Sequence, residues 1–258
     1  MSIPPLSGRV AVVTGASAGI GQAVAHDLAT AGASVVVNAR RGERVEALAT
    51  TLNKEAGRTV AAAAAGDCSD TGVIKAMLET ARRAFGAPAD LVVVNAGRGL
   101  DGSVLTSDTE QWEEMIRTNL IGAACLMREA ALEMTGDGRP RERARDIIVI
   151  GSVVGRNVSP FSSMYGSTKF AVGGLAEGLR REVGPKGVRV TLVLPGFVVS
   201  EFQGVAGYKP EWVKQVFDRI GPVLEPVDVA RAVTFVAQQP PHVHLSEVMI
   251  RPTRQEYP

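Results

Sequence analysis

Tyr165 and Lys169 lie four residues apart in a segment with helical periodicity, and together they could move a proton. Residues at i and i+4 share a helix face, so the Lys169 ammonium would lie beside the Tyr165 phenol. A free tyrosine titrates near pH ~10, and a neighbouring positive charge would stabilise its phenolate and permit proton exchange at neutral pH. The pair predicts an acid or base for a group such as a carbonyl oxygen. Incidental spacing on a surface helix is the alternative.

Two further polar residues could complete such a site. Ser152 follows the apolar run 147–150, thirteen residues before Tyr165. Ligands bind outside the carboxyl ends of strands in open α/β sheets, so a hydroxyl at the end of this predicted strand could polarise a substrate oxygen. Asn119 lies in a long helical stretch and is the second candidate for this site. The alternative is that it is an ordinary polar residue of a helix.

A glycine-rich segment follows the first predicted strand and opens a helical stretch. Gly15, Gly19 and Gly21 would let the backbone approach a pyrophosphate at a helix N-terminus, where free amides and the helix dipole attract anions. Their spacing, Gly-x-x-x-Gly-x-Gly behind a threonine, differs from the general dinucleotide fingerprint. For the glycines alone, a simple turn joining a strand to a helix is the alternative.

The elements that must hold these residues alternate along the chain. Short β-branched runs at 10–14, 34–38, 60–64, 91–94, 146–150, 188–194 and 248–250 are separated by helical stretches at 20–31, 43–55, 71–85, 109–134 and 164–183. This order predicts a parallel sheet with helices on both faces, and strands that are apolar throughout fit burial on both sides. We expect one domain spanning 1–258, a solvated loop at 136–145 and a mobile substrate-covering segment at about 197–226.

Taken together, these features resemble the short-chain dehydrogenase/reductase family over nearly the whole chain. The matching residues are the glycine loop, Asp67, Asn95-Ala96-Gly97, Asn119, Ser152, Tyr165 with Lys169, and Pro195-Gly196. The resemblance implies a doubly wound Rossmann fold with a mostly parallel seven-stranded sheet. It also implies that Lys169 binds the nicotinamide ribose and that Asn119 bends a helix and holds a water leading to the lysine. Homodimers or homotetramers through the long helices are expected.

The end of the second predicted strand bears on the choice between NAD and NADP. An acidic residue there would accept from the ribose 2′-hydroxyl and repel a 2′-phosphate. The sequence has Asn38, Ala39, Arg40 and Arg41 instead, and a guanidinium fork suits a phosphate dianion. We therefore expect NADP, with Ser17 and Asn38 as possible donors. Ala18 stands where NADP-using relatives often have a second basic residue, so the strictness of the preference stays open, as does a merely solvating role for the arginines.

The expected cofactor contacts can be given as one set. They are Gly15, Ser17, Ala18, Gly19, Ile20, Gly21, Asn38, Arg40, Arg41, Asp67, Cys68, Asn95, Ala96, Gly97, Tyr165, Lys169, Pro195, Gly196 and Val198. In the resembling family, the Asp67 side chain would bind the adenine amino group and Cys68 would contribute its backbone amide. A turn or helix-capping role is the alternative for Asp67.

Composition limits the partners. The 28 basic and 27 acidic residues give a net charge of +1, so no long-range field favours nucleic acid or an anionic membrane. Two cysteines without paired spacing fit a reducing compartment, and we expect a cytoplasmic protein. Residues 1–9 lack the pattern of a secretory signal, and no apolar run approaches the roughly 18 residues of a membrane span. His242 and His244 lack a carboxylate or cysteine partner, so no metal site is expected.

The expected activity is NADPH-dependent reduction of a ketone or aldehyde, reversible as alcohol dehydrogenation. Apolar side chains at 98–100, 153–161 and 197–212 favour a largely apolar substrate, although Arg98 and Arg156 could recognise a carboxylate. A non-catalytic NADP(H)-binding regulatory protein on the same fold is one alternative. A lyase or isomerase that uses the tyrosine as acid or base is another.

Overall fold

Within the described residues, seven apolar segments pair as strands of one sheet. They are β1 (Val10–Thr14), β2 (Ser34–Ala39), β3 (Ala61–Ala65), β4 (Leu91–Val94), β5 (Asp146–Ile150), β6 (Arg189–Pro195) and β7 (Glu247–Ile250). Their order is β3-β2-β1-β4-β5-β6-β7, and every neighbouring pair is parallel. The order reverses between β1 and β4, which opens a crevice at the carboxyl ends of the strands. The predicted doubly wound fold is confirmed.

The computed structural model describes residues 5–136, 138, 143–157 and 159–256. Parts of two sequence predictions, the N-terminal segment 1–9 and the loop 136–145, therefore lie outside the described residues, as does residue 158 of the predicted substrate wall. No helix in the described part of the chain combines the length and apolar character needed to cross a membrane.

Helices cover both faces of the sheet. They are α1 (Gly19–Thr30), α2 (Gly42–Ala56), α3 (Thr71–Phe85), α4 (Trp112–Ile116), α5 (Ala123–Gly136), α6 (Ser163–Val183), α7 (Phe202–Val205), α8 (Pro210–Ile220) and α9 (Pro226–Ala237). Val13 of β1 packs with α1, α2 and α9 in one apolar cluster, whereas its neighbour Val12 packs with α3, α5 and α6 in another. Successive strand side chains point to opposite faces, and both faces are buried, which explains the continuous apolar runs.

Helix α9 was not among the predicted helices, although its signals are local. It buries Val229, Val233 and Val236 at helical spacing. Pro226 occupies its first turn, and the side chains of Glu225 and Asp228 form a capping box at its start. The helix packs along α1 and covers the face of the sheet that supports the glycine loop.

The stretch predicted as one helix at 109–134 is broken. A 3-10 turn (Thr109–Gln111) and α4 lead into a π-helical turn (Arg117–Gly122), after which α5 begins. A π turn inserts an extra residue and changes the direction of the side chains that follow. It carries Asn119, which is 2% exposed and whose side chain binds the backbone of Arg98. The bend therefore brings a buried amide to the loop after β4.

Buried charges lie at the amino ends of four strands, opposite the crevice. Arg9, just before β1, donates to Asp90 Oδ1 and to Asp146 Oδ2, each at 2.8 Å. Arg189 donates to both carboxylate oxygens of Asp146 at 2.7 and 2.9 Å and to three backbone carbonyls. Burial by itself would lower the pKa of Arg9, but Asp146 and Asp90 outweigh that effect and raise it. The ion pairs of the two arginines tie β1, β4, β5 and β6 together.

We expect Asp146→Asn to destabilise the fold by about 3–5 kcal/mol, because it leaves two buried guanidinium groups without a shared counter-charge. Urea unfolding at pH 7 measures the loss. Glu177→Gln is the matched control, since Glu177 pairs with Arg180 and Arg181 at the solvent-exposed surface of α6 and should contribute far less. Equal losses in the two variants would contradict the structural role given to Asp146.

Candidate active site

The carboxyl ends of the strands open onto a cleft of about 810 Å³. The glycine loop, the ends of β2, β4, β5 and β6, the start of α6 and the segment from 195 to 219 line it. Of the residues expected to transfer protons or to bind the cofactor, all but Gly21 and Asn119 contribute to the lining. The cleft lies at the reversal of strand order, where ligands bind in open parallel sheets.

The glycine loop is shaped by close backbone contacts. Gly15 has a φ of 67°, and a Cβ there would lie 2.8 Å from the side-chain nitrogen of Asn95. A Cβ on Gly21 would lie 2.4 Å from the carbonyl oxygen of Gly15. Within the described residues, no side chain caps α1 at Ala18, and no acidic residue stands in its first turn. The first amides of α1 can therefore receive an anion such as a pyrophosphate.

Thr14 joins the glycine loop to the end of β4. Its hydroxyl accepts from the backbone amides of Asn95 and Ala96, each at 3.1 Å, and donates to the carbonyl of Val93 at 3.3 Å. Asn95 returns a hydrogen bond from its amide to the Thr14 carbonyl at 2.9 Å. The position of Thr14 directly before the glycine loop was a signal for this role, but the sequence predictions gave Thr14 no role.

At the end of β2 the candidate residues divide into two groups. Asn38 donates both of its amide hydrogens to the carbonyls of Ala64 and Gly66, at 2.7 and 3.2 Å. Its Oδ1 is buried and has no hydrogen-bond partner among the described residues. The predicted donor capacity of Asn38 is therefore taken up by β3 and the loop that follows, and its free oxygen can only accept.

The arginines that follow β2 point in different directions. Arg40 donates to Glu114 at 3.1 Å and is largely exposed. Arg41 donates to the hydroxyl of Ser17 from Nε at 3.1 Å and from Nη2 at 2.9 Å, and to Glu201 from Nη1 at 2.9 Å. Thus Arg41, and not Arg40, makes the contact with the glycine loop.

The candidate proton-transfer residues meet beside the end of β5. Tyr165 and Lys169 are 8% and 7% exposed, and the Ser152 side chain is near enough to the Tyr165 phenol to act on its pKa. Lys169 Nζ donates to the carbonyl of Ile150 at 3.0 Å and lies 5.9 Å from the centre of the Tyr165 ring. A Cβ on Gly97 would lie 3.6 Å from the same Nζ, so the loop after β4 closes over the lysine.

Burial governs the titration of this pair. It raises the pKa of Tyr165 well above its ordinary value, Tyr208 adds to the increase, and the hydrogen bond with Ser152 opposes it. Burial also lowers the pKa of Lys169 from 10.5 to about 8. The Lys169 ammonium was expected to lower the pKa of Tyr165, whereas in the structure the loss of solvent around both groups dominates.

Asn119 acts on the backbone around the site. Its Oδ1 accepts from the Arg98 amide, and its Nδ2 donates to the Arg98 carbonyl, both at 2.8 Å. Nδ2 also reaches the Thr168 hydroxyl at 3.1 Å, next to Lys169 in the chain. Asn119 therefore joins the loop after β4 to α6, a connection that the sequence did not reveal.

The two arginines considered as carboxylate receptors are already paired with groups of the chain. The Arg98 guanidinium donates to Glu114 and Gln111. Arg156 donates to Glu247 at the start of β7. Both guanidinium groups are therefore already hydrogen-bonded within the chain, although Arg98 shares Glu114 with Arg40.

Aromatic side chains form the outer wall of the cleft. The Phe202 ring lies 5.5 Å from the Tyr165 ring, and the Tyr208 ring lies 5.2 Å from that of Trp212. Burial raises the pKa of Tyr208, and the nearby Ser162 side chain opposes that increase. Tyr208 thus adds a polar group to an otherwise apolar wall.

The base of segment 197–226 is held by the backbone and by the chain end. The amide of Val199 donates to the Leu224 carbonyl at 2.9 Å, and the amide of Leu224 donates to the Phe197 carbonyl at 3.2 Å. The amide of Phe197 donates to Gln255 Oε1 at 2.9 Å, and Gln255 is 4% exposed. No local pattern could identify Gln255, because its partner lies 58 residues away.

Comparisons with known proteins define the class. Residues 9–209 match the family model described as short chain dehydrogenase. The chain is 32% identical over 247 residues to an uncharacterized oxidoreductase of Staphylococcus aureus strain USA300, in an alignment covering 96% of this chain and 98% of the relative. The chain therefore belongs to the short-chain dehydrogenase family and is an oxidoreductase, which confirms the resemblance.

Solved structures agree with this assignment. An alcohol dehydrogenase from the archaeon Thermococcus sibiricus, complexed with 5-hydroxy-NADP, is 29% identical, with a TM-score of 0.82 over 97% of this chain and 99% of that one. The closed form of a serine dehydrogenase complexed with NADP+ is 28% identical, with a TM-score of 0.83 over 96% of both chains.

Lys169→Met is expected to stabilise the folded protein at neutral pH. The folded lysine titrates near 8 and the unfolded one near 10.5, so the unfolded chain binds more protons between these values and stability rises with pH there. Below pH 8 the buried ammonium costs up to about 3 kcal/mol, which the methionine removes. The gain should disappear by pH ~10.5, where both states of the lysine have lost their protons.

Urea unfolding of the apoprotein at pH 7 and pH 10 measures this difference. Lys75→Met, on the exposed surface of α3, is the matched control and should show no comparable gain. An equal loss of stability at both pH values in Lys169→Met would contradict the charge argument.

Proposed function

We propose that this chain is an NADPH-dependent reductase of ketones or aldehydes, reversible as an alcohol dehydrogenase. The observation that carries the proposal is the meeting of Ser152, Tyr165 and Lys169 at the end of β5, beside a glycine loop suited to a dinucleotide. A hydroxyl, a phenol and an ammonium in one buried cleft are the groups that protonation of a carbonyl oxygen requires.

In the proposed reaction, Ser152 orients the substrate and Tyr165 protonates it. The Ser152 hydroxyl is near enough to the Tyr165 phenol to act on its pKa, so a carbonyl oxygen between them could accept from both. NADPH supplies the hydride when bound. As the carbonyl oxygen gains negative charge, Tyr165 Oη donates its proton to that oxygen.

In the proposed proton transfer, Lys169 stabilises the Tyr165 phenolate and returns a proton to it. A phenolate in a buried cleft is costly, and the nearby ammonium offsets part of that cost. Because the pKa of Lys169 is about 8, the lysine can also give up a proton near neutral pH and restore the phenol. Asn119 positions the backbone around the lysine through Arg98 and Thr168.

The residues at the other end of the cleft fit the cofactor. The amides at the start of α1 would hold the pyrophosphate. Ser17, Arg41 and Arg40 offer a hydroxyl and two guanidinium groups for a 2′-phosphate. Asp67, whose Oδ1 accepts from the Ser69 amide at 2.9 Å, would use its other oxygen for the adenine amino group. The NADP complexes of the two similar structures support this choice.

The cleft favours a largely apolar carbonyl compound. Val154, Phe161, Phe202, Val205 and Trp212 supply apolar surface opposite the catalytic hydroxyls. Such walls bind by burying apolar area while a few polar groups set the orientation. We propose that residues 197–226 cover the bound substrate, and that the chain acts as one domain.

We also propose that two or four copies of the chain assemble through α5 and α6. Leu132 on α5 and Phe170 and Leu175 on α6 are exposed apolar side chains on the long helices. Their burial between copies would remove apolar surface from water. Light scattering on the purified protein tests this assembly, and a monomer at all concentrations would contradict it.

Tyr165→Phe should lower turnover by about 10²–10⁴-fold, because it removes the proton donor and leaves the shape of the cleft intact. The measurement is the loss of nicotinamide absorbance with NADPH across a panel of ketones and aldehydes. Tyr208→Phe removes a hydroxyl from the same cleft and should change turnover by no more than about tenfold. Equal rates in Tyr165→Phe and the unmodified protein would refute the assigned role.

Two other outcomes would favour the alternative functions. Conversion of substrate without net oxidation of NADPH would indicate a lyase or isomerase. Tight NADPH binding without turnover of any carbonyl, together with a protein partner in a pull-down, would indicate a regulatory protein.

A further inference from the structure

Glu201 brings a carboxylate to the arginines that follow β2. It lies just before α7, in the segment after β6, and is separated from Arg41 by 160 residues. Its Oε2 accepts from Arg41 Nη1 at 2.9 Å, and its Oε1 accepts from Arg44 Nη1 at 2.9 Å. These two arginines lower the pKa of Glu201 through their hydrogen bonds, so the carboxylate is charged at neutral pH.

Arg41 lies between this carboxylate and the glycine loop. Two of its nitrogens donate to the Ser17 hydroxyl, and a third donates to Glu201. Ser17, Arg41 and Glu201 all line the cleft, whereas Arg44 supports Glu201 from outside it. A group bound at Ser17 and Arg41 would therefore be separated from the Glu201 carboxylate only by the Arg41 guanidinium.

The position of this carboxylate bears on whether the site favours NADH or NADPH. An acid near the adenosine ribose favours a 2′-hydroxyl, which can donate to it, and disfavours a 2′-phosphate, which it repels. The end of β2 has no acid, but the fold supplies one from a distant part of the sequence. Arg40 counters this carboxylate only in part, because its guanidinium also donates to Glu114.

We propose that Glu201 sets the cofactor selectivity of this chain, keeping its preference for NADPH over NADH small. This inference rests on the proposed use of a nicotinamide cofactor. The phosphate and the carboxylate compete for Arg41, whereas NADH has no phosphate to compete. Glu201 thus permits NADH to bind at a site that the residues after β2 predict for NADP.

The size of the effect follows from the charges. A carboxylate and a phosphate dianion about 6 Å apart in water repel one another enough to change an affinity about tenfold. Arg41, Arg44 and Glu201 are each about half exposed, so salt should screen the repulsion. The selectivity should therefore respond both to the charge of residue 201 and to ionic strength.

The test is a binding titration of NADPH and of NADH, followed by nicotinamide fluorescence, on the full chain and on Glu201→Gln. The variant should bind NADPH about tenfold more tightly at low salt and NADH within about twofold of the unmodified chain. The gain for NADPH should shrink in 1 M salt. Glu211→Gln is the matched control, because Glu211 is exposed on α8 and makes no ion pair with any described residue.

Arg44→Gln provides a second variant that acts through the same carboxylate. It leaves Glu201 with one arginine, so the NADPH to NADH affinity ratio should fall instead of rising. A ratio that is unchanged in Glu201→Gln, or that moves in the same direction in both variants, would overturn the proposal, as would a failure to bind either cofactor. Binding that follows the proposal without carbonyl turnover would contradict the proposed reductase activity and leave the selectivity inference standing.

Discussion

The pairing of Asp146 with Arg9 and Arg189 holds the amino ends of the central strands in a common register. Asp146 begins β5, and its two oxygens accept from guanidinium groups attached to β1 and β6. Four residues later the same strand ends at Ile150, whose carbonyl accepts from Lys169, and Ser152 lies two residues beyond. A shift of β5 by one residue would reverse the faces of its side chains and displace these groups. The chemistry at one edge of the sheet thus depends on the charges buried at the other.

Burial of Lys169 and Tyr165, the proposed proton-transfer pair, costs stability. An ammonium enclosed by the loop after β4 and the carbonyl of Ile150 is harder to keep charged than one in water, and this lowers the pKa of Lys169 to about 8. The same burial raises the pKa of Tyr165, which keeps the phenol protonated and ready to donate. Opposite shifts in adjacent groups are a common property of sites that transfer protons.

Local patterns predicted most of the sheet, because a strand buried on both faces must be apolar along its length. The apolar runs predicted the bounds of β4 and β5. The spacing of the glycines behind the first strand predicted the glycine loop. Local patterns could not predict the π turn at Asn119, because its geometry depends on hydrogen bonds to Arg98 in another loop. For the same reason, the contact of Glu201 with Arg41 has no local signal. Side-chain identity predicted which residues gather at the cleft, and tertiary contacts decided which of their donors are already used.

The central claim is that Tyr165 and Lys169 serve a hydride transfer to a carbonyl carbon. The most direct test uses NADPH that carries deuterium on the reactive face of C4, with mass spectrometry and NMR of the product formed from a carbonyl substrate. We predict that one deuterium appears on the carbinol carbon of the alcohol and is lost from the cofactor. Product formed while the deuterium stays on the nicotinamide would contradict this account.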